Sequence, residues 1–324
     1  MNLLRRHFFL VGIGLAALIA AIFPPVTGWG RDVLTWTTKL GIGGIFLIYG
    51  WKLELDHLGE RLRDWRLHLS IQATTFLVLP FVGWMLYLAL SDSALQAIRE
   101  PIFYTMVLPS TVSFSVMMTA IARGNLAASI LNASLSGIIG VMVIPLWLQF
   151  VGIPFVQDAS LGFIYSMLII QILVPVGLGL MSQRRVLKRI SRNHFILKHF
   201  DKFIIWLIVY KSFSASYSTE LSHQLGVMEV AVVGGTSVLL YFLALGITGR
   251  WARFLGFSRG NTISFRLCGT LKSLVHGTAM AAVFFAPEQI PTMLLGILFY
   301  HGFALFYTSY LAEKWGRTHE STQS

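Results

Sequence analysis

The sequence predicts an all-helical protein that crosses a lipid bilayer repeatedly, and three observations carry that expectation. Hydrophobic residues make up 55% of the chain and charged residues 12%, with a mean hydropathy of +0.70; soluble domains carry about a quarter charged residues. Apolar runs of roughly 17 to 25 residues, long enough to cross hydrocarbon as a helix, recur from end to end. The basic residues gather in alternate loops between those runs, which is the charge signature of orientation in a membrane.

Helices are predicted at 8–23, 33–51, 67–90, 101–121, 124–150, 160–181, 203–219, 227–249, 263–285 and 290–312, ten transmembrane helices in all. The first starts after Arg5-Arg6-His7 and stops at Pro24-Pro25 without a small-residue cleavage site, so it reads as a retained helix and not a signal peptide. Arg61, Arg63 and Arg66 separate the second and third, Arg99 precedes the fourth, and Arg123 precedes the fifth. A basic stretch from Gln183 to Lys202 separates the sixth and seventh, Arg250, Arg253 and Arg259 separate the eighth and ninth, and Lys314 and Arg317 follow the tenth. Of 25 Lys and Arg, Arg31, Lys39 and Arg99 alone fall on the side opposite the N-terminus, while Lys211 and Lys272 lie inside spans. Both termini are therefore predicted cytoplasmic, in a multi-pass protein of the cell (inner) membrane. Trp29, Trp36, Trp51, Trp65 and Trp84 read as interfacial anchors and packing.

Composition also excludes classes. The net charge of +11 is spread over short loops, with no basic domain or nucleic-acid module, so no nucleic acid is expected as a partner. A single cysteine, Cys268, rules out a disulfide framework and multi-Cys metal sites. All 14 Asp and Glu lie in loops or at helix ends, which argues against a proton relay, a divalent-cation site or an acid/base enzyme. No cofactor is implied beyond a sodium ion as coupling ion.

The basic stretch at 182–202 divides the chain into 1–181, holding the first repeat and the start of the second, and 203–324, holding the remainder. If helices 1–5 and 6–10 are repeats, their odd number forces opposite orientation, the inverted-repeat plan of many transporters.

Two apolar segments are interrupted, at Leu108-Pro109-Ser110-Thr111-Val112-Ser113-Phe114-Ser115 and at Cys268-Gly269-Thr270-Leu271-Lys272-Ser273-Leu274-Val275-His276-Gly277. A matched pair of broken spans points to a transporter binding site. Lys272 sits in the second break with no intramembrane acid to pair it, so its partner is expected to be an anion, helped by the hydroxyls of Thr270 and Ser273 and by freed backbone N–H groups, with the alternative that Lys272 is neutral or bonds carbonyls freed by the opposite broken helix. Ser110, Thr111, Asn132 and His276 complete the expected substrate-binding set, with the alternative that such hydroxyls simply pack helices together. Ser113, Ser115 and Ser129 could coordinate sodium through hydroxyl oxygen. His276 and His301 lack the Cys or acid partners that would complete a metal site.

These residues carry a resemblance. Pro109 with its following hydroxyls, then Ala122-Arg123-Gly124-Asn125-Leu126-Ala127, resemble the fourth-to-fifth helix region of the bile acid:sodium symporter (BASS) superfamily. Trp65-Arg66-Leu67-His68-Leu69 and Cys268-Gly269-Thr270-Leu271-Lys272-Ser273-Leu274 are similar to its YfeH-type branch. The resemblance implies two inverted five-helix repeats, a panel of helices 1, 2, 6 and 7, a core of helices 3–5 and 8–10, and fourth and ninth helices that are broken and cross. It implies a secondary-active transporter of a small organic anion, driven by sodium through two sites beside the crossing. By position, Ser113 or Ser115 and Ser129 match hydroxyl ligands of the first sodium site. Departures from the pattern are Arg266 in place of a shared glutamate, Thr270 in place of a glutamine, and Thr75, by its position still a sodium-site candidate, in place of the third helix's glutamine. Lys272 is accordingly expected to replace one cation permanently. The alternative is a membrane regulator or sensor of ion homeostasis with the same fold that binds without transporting.

Overall fold

The computed structural model describes residues 3–23, 28–53, 64–91, 95–190, 194–217 and 226–320, and among them every regular element is helical. In order these are α1 (Leu3–Ile22), α2 (Trp29–Lys52), α3 (Trp65–Ala89), α4 (Arg99–Val107), α5 (Val112–Ile121), α6 (Leu126–Val151), α7 (Leu161–Val186, helical on to Ile190), α8 (His194–Tyr217), α9 (Val227–Phe254), α10 (Arg259–Thr270), α11 (Leu274–Phe284) and α12 (Ile290–Glu320). Among the described residues seven helices are long and apolar enough to cross a membrane, and an eighth span results if the pair Gln96–Val107 and Val112–Ile121, bent by 62°, is one broken crossing. The chain is a multi-pass membrane protein.

The stretch expected as a basic linker is helical over 182–190 and 194–202, because a helix can run past the apolar boundary once its exposed turns are polar. Residues 191–193 of that stretch, and Arg61 and Arg63 of the cytoplasmic set, lie outside the described residues.

The chain forms two compact units. Unit 1 comprises 1–53, 153–226 and 278–293. In it glycines let helices approach to backbone contact: a Cβ on Gly50 would lie 2.3 Å from the Val176 carbonyl oxygen, and one on Gly179 2.3 Å from that of Leu47. Gln183 then caps the end of α2, its Nε2 donating to the carbonyls of Trp51 and Leu53 at 2.8 and 2.7 Å. Trp206 of α8 lies against Gly12 of α1 and donates from Nε1 to the Phe9 carbonyl at 3.1 Å.

Unit 2 comprises 54–152, 227–277 and 294–324. Leu67, Ile71, Ala128, Ala252, Phe265 and Cys268 form one buried cluster, while Tyr241, Phe242, Phe303 and Tyr307 interlock as rings 4.9 to 5.9 Å apart. α3 is not a uniform α-helix. Its segment Thr74–Val78 is a π-turn, closed by Leu79 N–H donating to the Thr74 carbonyl. The next residue is Pro80, which has no N–H. The carbonyls of Thr75 and Phe76 are thereby left for other donors, and Trp147 Nε1 takes that of Phe76 at 2.8 Å.

Candidate functional site

Both interruptions lie in unit 2 and meet there. Pro109 holds Leu108 in an extended conformation (φ −64°, ψ 150°), which ends α4. The second break falls at Leu271 to Ser273, where Leu271 turns extended (φ −74°, ψ 133°). Gly269 is still helical, as the penultimate residue of α10.

In hydrocarbon every freed backbone group needs a partner, and the two breaks supply each other. Lys272 Nζ donates to the carbonyls of Met106 (2.7 Å), Leu108 (2.8 Å) and Thr75 (3.3 Å). Met106 would otherwise be served by Ser110 N–H, which donates instead to Ser136 Oγ at 2.8 Å; Thr75 is the carbonyl that Pro80 left free. Ser273 N–H donates to the Pro109 carbonyl at 2.8 Å. On the other strand of the break, Tyr300 O–H donates to Thr270 carbonyl (2.7 Å) and His301 Nδ1 to that of Lys272 (3.1 Å). A carbonyl only accepts, so His301 carries its proton on Nδ1.

Lys272 is 1% exposed. Three carbonyl acceptors use all three N–H bonds of an ammonium, one more than a neutral amine has. No carboxylate is among its hydrogen-bond partners. Lys272 Nζ thus ends on carbonyls at a helix end and at a π-turn, oxygens that carry partial negative charge. Ser273 caps α11, with His276 N–H donating to its Oγ at 3.2 Å and His276 Nδ1 in hydrogen bond with it at 2.9 Å. Ser110 is fully buried, and its Oγ has no hydrogen-bond partner.

The remaining candidates do not all gather at the crossing. Ser115 and Ser129 are brought together through Thr119, which donates to the Ser115 carbonyl at 2.8 Å and shares a hydrogen bond of 2.9 Å with Ser129 Oγ. Ser115 itself donates to the Thr111 carbonyl. Cys268 Sγ faces the Ser129 carbonyl at 3.8 Å. Ser113, by contrast, is exposed and outside this cluster. Thr75 spends its hydroxyl on the Ile71 carbonyl at 2.9 Å, leaving only its backbone at the crossing. Asn132 belongs to a third grouping with His68 Nδ1 (2.7 Å) and Gln72, whose Nε2 donates to Asn132 Oδ1 at 3.2 Å. Arg266 does not face the hydroxyls: its guanidinium lies over the Trp315 ring at 4.7 Å and beside Gly249. The α10 side chain that does face them is Cys268. Thr270 Oγ1 lies 3.3 Å from Thr248 Oγ1.

Sequence reasoning did not single out His68, Gln72, Thr119 or Tyr300. For Lys272 the missed signal was Pro80, whose lack of an N–H predicts an unserved carbonyl one turn earlier. Among the described residues no three His, Cys, Asp or Glu gather as a metal site.

Comparison with known proteins bears on what this arrangement is for. A profile of the SBF-like CPA transporter family matches residues 7–317. An uncharacterized protein of Pseudomonas aeruginosa is 33% identical over 94% of this chain and 91% of its own. YfeH of Escherichia coli, named as a candidate symporter, is 27% identical over 96% and 93%. A Danio rerio protein named sodium/bile acid cotransporter 7 is 27% identical over 92% and 90%.

Proposed function

We infer, because this chain belongs to the SBF-like CPA transporter family, that it is a secondary-active transporter of an organic anion, working by alternating access. The family is one of transporters and not of enzymes. We place the chain in the inner membrane with both termini cytoplasmic, and assign it ten helices in two inverted five-helix repeats. The first, second, sixth and seventh form the panel and the others the core. Lys272 stands where ion-coupled relatives would hold one cation, and Ser115, Thr119 and Ser129 are the place for a sodium ion that drives transport.

The observation that carries this reading is the Lys272 Nζ held by carbonyls from two other helical segments. A permanent cation at the helix ends offsets their partial negative charge, and the surplus positive potential favours an anion beside Ser110, Thr111, Ser273 and His276. The relatives' names support sodium as the coupling ion.

The test is flux in proteoliposomes. Uptake of a panel of carboxylated and sulfonated amphiphiles, measured with inward sodium or potassium gradients, is expected to show net accumulation that Lys272→Gln abolishes. Saturable binding without any accumulation would instead identify a sensor, and wild-type uptake by Lys272→Gln and Lys272→Ala would sink the fixed-charge role.

A further inference from the structure

Away from the helix crossing, unit 1 holds a polar group with no part in the reading above. Lys211, the second lysine that the sequence places inside a predicted span, lies on α8 and is half-buried. α2 and α8 run antiparallel: Ile204 covers Gly41 and the Phe200 ring covers Gly44, so each step along α2 matches a step back along α8. Lys211 follows Ile204 by two turns on the same face, which sets it level with Leu34. At ~1.5 Å per residue, Arg31 then stands about 4.5 Å along the axis to one side and Lys39 about 7.5 Å to the other.

Among the described residues the charged neighbours that bear on Lys211 are Lys39 and Arg31, both cations. Arg31, Lys39 and the neighbouring carboxylate Asp32 are all exposed. Lys39 lies over the Trp36 ring at 5.4 Å. Gly28 gives α2 no side-chain cap, so the amides of its first turn add positive potential at the Arg31 end. Arg31 and Lys39 also run against the charge bias of the whole sequence, which removes membrane orientation as their explanation.

A neutral donor completes the group. Ser214, one turn beyond Lys211, is 3% exposed, and its Oγ has no hydrogen-bond partner. Its neighbour Ser212 settles the same problem by donating to the Ile208 carbonyl at 2.7 Å. Ser214 keeps its hydroxyl uncommitted at the level of Arg31.

We propose that Lys211, Ser214, Arg31 and Lys39 form an oxyanion subsite that takes the carboxylate, sulfonate or phosphate head of an amphipathic anion. Among the described residues Lys211, Arg31 and Lys39 outnumber the one neighbouring carboxylate, Asp32, and a sulfonate or phosphate has oxygens enough for the ammonium and the serine hydroxyl together. The subsite rests on the organic-anion reading for its cargo and deepens it by naming the head group.

The test is ligand-induced thermal stabilisation of the full chain in phosphatidylcholine nanodiscs, with naphthalene-2-sulfonate as probe and naphthalene-2-carboxamide as the neutral control. The sulfonate alone is expected to stabilise wild type. Lys211→Gln is expected to weaken its apparent affinity about tenfold, as loss of one charge-assisted hydrogen bond would, with Ser214→Ala and Lys39→Gln weaker by smaller factors and Lys211→Arg close to wild type. Phosphatidylglycerol nanodiscs separate the two sources of an oxyanion: if they alone stabilise the protein, and Lys211→Gln removes that gain, the occupant is a lipid head group. Equal sulfonate affinity in wild type, Lys211→Gln and Ser214→Ala, or no oxyanion effect in either lipid, overturns the subsite. Should Lys211→Gln fail to fold, Ser214→Ala, which removes one oxygen, and Lys39→Gln decide the matter. The readout is binding, so unchanged binding in the variants of a chain that still transports retires the subsite alone, whereas binding intact without flux retires the transport reading alone.

Discussion

Ser273 donates its backbone N–H to the carbonyl of Pro109 at 2.8 Å. Two interruptions from opposite halves of the chain are thus tied main chain to main chain, beside the three hydrogen bonds of Lys272. Each break creates backbone groups that the lipid interior cannot serve, and each is the other's solution. Neither segment is expected to hold its shape alone.

Lys272→Ala leaves the carbonyls of Met106, Leu108 and Thr75 without their donor. At roughly 1–3 kcal/mol for each buried group left unsatisfied, the loss is expected to be about 3 kcal/mol or more. Thermal unfolding in detergent reads it directly. Part of the loss should return with sodium chloride and not with choline chloride, because a small cation can sit on the same oxygens. A midpoint equal to wild type would show that the ammonium is dispensable there.

Ser110→Ala separates packing from function. Its Oγ has no hydrogen-bond partner to lose, so stability is expected to change by less than about 0.5 kcal/mol. Uptake is expected to fall severalfold if the hydroxyl meets the cargo. Uptake at the wild-type level would reduce Ser110 to a space-filler between helices.

Tyr300→Phe removes the donor to the Thr270 carbonyl, a bond of 2.7 Å between fully buried groups. The expected cost is about 1–3 kcal/mol. Local hydrogen exchange is expected to rise at the end of α10 before elsewhere, and uniform exchange across unit 2 would contradict that localisation.

Glycines give a paired control. Gly50→Ala would drive a Cβ to 2.3 Å from the Val176 carbonyl oxygen and is expected to destabilise by about 1–3 kcal/mol. Gly235→Ala, within α9 and with nothing inside 4 Å, should be neutral or stabilising by up to about 1 kcal/mol. Denaturation midpoints that do not separate the two variants would undo the account of how α2 meets α7.

The sites of interruption were legible because proline and an intramembrane lysine have only a few affordable environments. Pro109 marked its break to within a residue, and Lys272 lies inside the second break, at Leu271 to Ser273, whereas Gly269 stays helical because a glycine tolerates helix as well as a turn. Ser115 and Ser129 were legible as a pair of hydroxyls, but not the Thr119 bridge between them, since a back-bonding threonine looks the same in sequence whatever it touches. Arg266, which stands by position where the resemblance implies a shared glutamate, turns to Trp315 on α12. No local pattern near Arg266 records that ring.

The ammonium at the crossing is bonded covalently to its own backbone, and that sets the electrical accounting of any cycle built on it. A soluble counter-ion leaves when its concentration falls; this one has no reservoir, so salt on either side of the membrane cannot load or empty the position. Each elementary charge that need not travel removes roughly 2.3 kcal/mol of drive per 100 mV. A cycle in which Lys272 does the work of a mobile ion therefore draws less on voltage than one that carries both ions across.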